Sequence, residues 1–157
     1  MPDIPLTAVI GMVAGLVASF VMNLYQTATA SLFGQDGEGE PATEKAAHSV
    51  KRKIAGGPVQ RNRRHAAGMA VHYATGLAIG LGYALIVLHW PTAAIGFGIA
   101  FGIVVAVILD GLLVPGLGWG PWPWRTGPAT YAYSLTSHIV FGLALEGVRR
   151  AGVGLLA

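Results

Sequence analysis

Polar side chains that can do chemistry interrupt the apolar stretches of this 157-residue chain: Asn23 and Gln26, then His72, Asp110, and finally Ser134, Ser137, His138 and Glu146. Imidazole titrates near physiological pH and a neighbouring carboxylate stabilises its charged form, so His72, Asp110 and His138 suit a proton-responsive network. The same two imidazoles and one carboxylate also suit an open zinc or iron site. Two histidines on different helices suit axial haem ligation. A fourth use is structural, with hydrogen bonds joining helices at about 0.6 kcal/mol each. The residue types leave these uses open, and whether a metal is bound is not fixed by them. HExxH, P-loop and nucleophile-elbow patterns are absent and no base is placed beside a serine, so neither catalytic residues nor enzymatic activity is expected. No motif calls for a cofactor.

The surroundings of these groups explain why they matter. The chain is 54% hydrophobic and 11% charged, against about 25% charged in a typical soluble domain. Its charges crowd between Gly34 and His65, leaving the rest nearly uncharged. That profile excludes a soluble enzyme, and it excludes disorder, which requires low hydrophobicity and high charge. Cysteine is absent, so disulfides, thiolate nucleophiles and Cys-based metal sites are excluded. In hydrocarbon a buried ionisable group costs several kcal/mol unless it is neutralised, paired or hydrated, so each polar residue inside a span needs a partner.

A membrane helix needs about 20 mostly apolar residues. Segments near 7–33, 66–90, 92–114 and 128–148 meet that length. The first has Asp3 and no Lys or Arg ahead of it, which does not match a cleaved signal peptide and reads as a retained span. The expected architecture is an all-α membrane protein, a single domain over 1–157 with four transmembrane helices in an antiparallel bundle and a basic loop over 34–65. Counting outward from the span centres at the helical rise of about 1.5 Å per residue places Asn23, Gln26, His72 and Asp110 in one half of the membrane, with His138 near its middle. Ser134, His138, Gly142 and Glu146 follow one another at i+4 and predict one inward-facing polar row. Tyr83 and Tyr133 could add hydroxyls.

Four spans put both connecting loops on one side. That side carries Lys45, Lys51, Arg52, Lys53, Arg61, Arg63, Arg64 and Arg125, against Arg149 and Arg150 on the other, so the basic loop is expected in the cytoplasm. Within it, Thr43 to Ile54 can form a short surface helix with Thr43 as cap and Ala46, Ala47, Val50 and Ile54 on one stripe; Lys51, Arg52 and Lys53 would then face anionic headgroups, as would Arg61, Arg63 and Arg64. The plainer expectation is a solvated basic loop that only sets topology. Nucleic-acid binding fits poorly, because no aromatic residues interleave the basic ones and no binding module is present.

The connection PGLGWGPWPWRTGP, from Pro115 to Pro128, cannot carry a regular helix because proline lacks a backbone donor. Trp119, Trp122 and Trp124 in it, and Trp90 at the opposite face, are expected to anchor the bundle at the membrane interfaces. Gly11 and Gly15, Gly76 and Gly80, and Gly98 and Gly102 recur at i+4 and allow close helix approach. That approach serves either packing inside the bundle or a homodimer.

The stretches VHYATGLAIGLGY (Val71 to Tyr83), GIAFGIVVAVILDGLLVPGLGW (Gly98 to Trp119) and SHIVFGLALEGVRR (Ser137 to Arg150), with IGMVAGLVASFVM (Ile10 to Met22), resemble the YagU-like small inner-membrane proteins of unknown function. The resemblance implies a four-span, multi-pass protein of the bacterial inner membrane, in a family whose type member is associated with acid resistance. It carries His72 and His138 onto positions where the family also tends to have histidine. Asp110 departs from the family, which has histidine nearby, and that weighs against a shared metal site. The first loop is also more basic than the family's. The functional expectation is acid-stress or membrane homeostasis through the buried His and Asp network, the alternatives being a small proton-coupled carrier or channel and a haem or metal binder.

Overall fold

Glycine lets two helix backbones approach to contact, and the i+4 glycines do this along two seams. The computed structural model describes residues 4–35 and 39–156, of which the helices are α1 (Ile4–Thr29), α2 (Ala42–Ala55), α3 (Arg64–His89), α4 (Ile99–Ile108), α5 (Val114–Gly116) and α6 (Pro128–Leu156). The chain is 84% helix, with no strand among the described residues. In the first seam a methyl group added at Gly11 would meet Ala84 Cβ at 2.5 Å and the Gly80 carbonyl oxygen at 2.6 Å, and one at Gly15 would run into the Gly76 carbonyl, so α1 and α3 are antiparallel. In the second, Gly98 abuts Gly142 and Gly102 abuts the His138 carbonyl, which makes α4 antiparallel to α6. Ile10 packs on Gly152, while the Tyr133 hydroxyl reaches the Gln26 carbonyl at 3.0 Å, so α1 and α6 are antiparallel too. The side-by-side order is therefore α3, α1, α6, α4, with both long connections at one end.

Ala14, Ala18, Met22, Tyr83, Val87, Ala94, Phe141 and Leu145 form the buried core along these contacts. The glycine faces are thus engaged within the chain, and a homodimer through them would have to displace these seams. Three helical segments are long and apolar enough to cross a membrane: Ile4–Thr29, Arg61–His89 and Ile99–Gly116. The longest helix, α6, falls short of that standard because its Tyr, Ser, Thr, His, Glu and Arg residues lower its hydropathy.

Several element boundaries differ from the sequence expectation. The third apolar helix starts at Ile99 rather than Thr92, because Pro91–Ala94 forms a 3-10 turn and Gly96, Phe97 and Gly98 all take positive φ angles. Gly98 needs that conformation and also the absence of Cβ, since Gly142 lies against it. The same rod runs past Val114 and Pro115 to Gly116, through a π-turn at Leu109–Leu113. A wide turn directly before a proline relieves the clash its ring would make in a regular helix. The last helix passes Val148 because Arg149 and Arg150 fold back on Glu146 instead of ending it.

The basic connection is not a bare loop: α2 forms there and docks on α3, burying Ala46 and Ala47. Val50 and Ile54 are left exposed, so only half of the expected stripe is covered. Thr43 lies inside the first turn, and Pro41 occupies the cap position with no side-chain cap bond.

Candidate functional site

The π-turn re-aims the helix at Asp110, and α6 answers with its polar row. Ser134 Oγ donates a hydrogen bond to Asp110 Oδ2 at 2.5 Å. One turn on, His138 Nδ1 lies 3.0 Å from the Ser134 carbonyl oxygen and 3.7 Å from the same Asp110 oxygen. An imidazole with its ring nitrogen on a main-chain carbonyl is held in one orientation and one tautomer. His138 is buried, whereas the Asp110 side chain keeps 42% of its surface open. That open surface faces a cavity of about 830 Å³, within the size range of small-molecule sites.

The cavity gathers residues from every long helix. Ser19, Asn23 and Gln26 come from α1, His72 and Thr75 from α3, Asp110 from the π-turn, and Tyr133 and His138 from α6. His72 Nε2 sits 3.2 Å from the Ser19 carbonyl oxygen, which ties α3 to α1 at the cavity wall. α2 covers the end toward the long connections, where Glu44 and His65 line the cavity with 3.7 Å between His65 Nδ1 and a Glu44 carboxylate oxygen. Trp119 also lines it, and its indole Nε1 donates to Ser49 Oγ at 3.0 Å, latching α2 in place.

His72, Asp110, His138, Asn23, Gln26 and Ser134, read from the sequence as one network, therefore surround or support a single cavity. Glu146 does not join them. It follows His138 by two turns, about 12 Å along the helix, and the Gly98 to Gly142 contact closes the space between. Glu146 is fully buried and accepts the Tyr83 hydroxyl at 2.8 Å, Arg149 at 2.7 and 2.9 Å, and Arg150 at 2.6 Å. The single polar row of α6 is divided into a cavity group and a buried ion cluster.

The tryptophans divide as well. Trp90 and Trp124 are exposed, at opposite ends of the bundle, and Trp122 stacks on Trp124 with ring centroids 4.9 Å apart. Trp119 is half-buried and turns its indole to the α2 latch. Of the basic residues, Lys51, Arg52, Lys53, Arg61 and Arg63 are exposed, while Arg64 pairs with Glu40 at 3.3 Å.

Ser19, Glu44 and His65 belong to the cavity and were not singled out by the sequence. Ser19 had a usable signal, standing one turn before Asn23 on the same helix face. Its hydroxyl is buried with no hydrogen-bond partner. Among the described residues, no three His, Asp or Glu side chains gather closely enough to hold a metal ion. No family model, no curated protein and no solved structure matches this chain.

Proposed function

We propose that the chain is a non-catalytic, four-span protein of a bacterial inner membrane whose His138 and Asp110 pair responds to protons and serves acid-stress or membrane homeostasis. The observation that carries this reading is the 3.7 Å approach of His138 Nδ1 to Asp110 Oδ2 at the wall of a large cavity. Around that pair stand His72 from α3, Glu44 from α2 and His65 at the start of α3. Protonating an imidazole there places a cation beside a carboxylate, so proton uptake and the shape of the cavity are coupled.

Three helices long and apolar enough to cross a membrane support membrane residence, and the reading extends to α6 on two grounds. At 29 residues it spans about 43 Å, and it lies between α1 and α4 with its Ser134, His138 and Glu146 turned toward them rather than outward. Exposed Lys51, Arg52 and Lys53 on α2 fit a cytoplasmic surface facing anionic headgroups. The acid-stress theme is what the resemblance to YagU-like proteins implies. A carrier is the second reading, favoured by the size of the cavity.

The test uses Trp119, whose ring borders the cavity. Purified protein should show a change in tryptophan emission on acidification. His138→Gln should remove most of it, and Trp119→Phe should remove the signal itself. A flat profile in a folded wild-type protein contradicts the reading.

A further inference from the structure

α3 and α4 flank the bundle and meet through Tyr83 and Phe101, and beside that contact lies an apolar groove of about 230 Å³. Gly82 and Ile86 line it from α3, and Phe101, Val104 and Ile108 from α4. Tyr83 forms its floor, with the Phe101 ring 4.5 Å away. Ile79, Val105 and Leu109 border this groove and also the polar cavity, so the two lie side by side. An apolar slot beside a polar chamber, parted from it only by three aliphatic side chains, matches a molecule with a chain and a head.

The chamber has a definite charge. The protein carries ten Lys and Arg residues, yet none lines the cavity, whose carboxylates Glu44 and Asp110 face only the imidazoles of His65 and His138, each at 3.7 Å. Asn23 and Gln26 add side-chain amides. Such a site complements a cation that donates several hydrogen bonds.

We infer that the groove and cavity together bind one amphiphile with a single alkyl chain and a primary ammonium head, entering from the bilayer between α3 and α4. The chain lies along Gly82, Ile86 and Val104, and the head sits between Asp110 and Glu44. This rests on the membrane-spanning reading above, since only there does the groove open onto lipid. Gly82 is the point of control: it lines the groove and a Cβ added to it meets nothing within 4 Å, so a side chain there begins in the open groove.

The experiment is native mass spectrometry of the detergent-solubilised protein with dodecylamine, dodecanoate or dodecanol. Dodecylamine should be retained in a one-to-one complex, and dodecanoate should not. Gly82→Trp should abolish retention while leaving the helical circular dichroism unchanged. Asp110→Asn should weaken retention by about tenfold or more, the effect of losing a charge-assisted hydrogen bond, and Glu44→Gln supplies the same comparison should the Asp110 variant not fold. Equal retention of dodecanoate, or full retention of dodecylamine by Gly82→Trp, overturns the inference. A protein that stays monodisperse without detergent would instead overturn the membrane reading beneath it.

Discussion

Tyr83 and Glu146 meet at 2.8 Å in the interior and join α3 to α6, two helices that lie on either side of α1. Glu146 also takes both arginine contacts of the last helix, so its carboxylate closes three side chains into one cluster. Removing one partner of a buried ion pair leaves uncompensated charge and costs about 3–5 kcal/mol. Glu146→Ala leaves Arg149 largely buried but Arg150 half exposed, so the cost falls to the low end of that range and the thermal midpoint should drop by about 6 °C, whereas Tyr83→Phe, which removes one neutral donor, should cost about 1–2 kcal/mol. Thermal unfolding in detergent, followed by circular dichroism, checks both. Equal, small effects would show that the cluster is not holding α3 to α6.

The glycine seams predict a sharp contrast between neighbours. Gly80→Ala drives a methyl group into the Gly11 carbonyl and Gly102→Ala drives one into the His138 carbonyl, each an overpacking cost of about 1–3 kcal/mol. Gly82→Ala, on the same helix as Gly80, faces open space and should be neutral. The same melting experiment decides it, and a destabilised Gly82→Ala would mean that α3 is rotated from the position described.

Trp119 predicts a local effect. Trp119→Phe removes the bond to Ser49 that latches α2, worth about 1 kcal/mol, and leaves the four long helices intact. Limited trypsin digestion at Lys51, Arg52 and Lys53 should accelerate while the thermal midpoint of the bundle stays in place. Unchanged digestion would mean that the burial of Ala46 and Ala47 alone seats α2.

How far the sequence revealed this arrangement follows from what periodicity can encode. Rise per residue fixes depth, so Asn23, Gln26, His72 and Asp110 could be placed in one half of the bundle before any contact was known. Helical spacing fixes the face of α6, so Ser134, His138 and Glu146 were legible as one row. What it does not encode is the neighbour at each depth. The Gly98 to Gly142 contact divides the row, and the partner that claims Glu146 is Tyr83, 63 residues away. The inward turn of Trp119 depends on the docking of α2, a tertiary event, and so does the arrival of Glu44 and His65 at the cavity. The shortened start of α4 turns on positive φ angles at Phe97 and its flanking glycines, which hydropathy cannot register.

The central claim is that α6 crosses the bilayer beside the three more apolar helices, which puts the His138 and Asp110 cavity inside the membrane. The chain has no cysteine, so single introduced thiols report cleanly. Ala129 and Ala151 are exposed near opposite ends of α6. In intact cells a membrane-impermeant maleimide should label Ala151→Cys and spare Ala129→Cys, and inverted vesicles should reverse the pattern. Labelling of both positions from one side would contradict the claim.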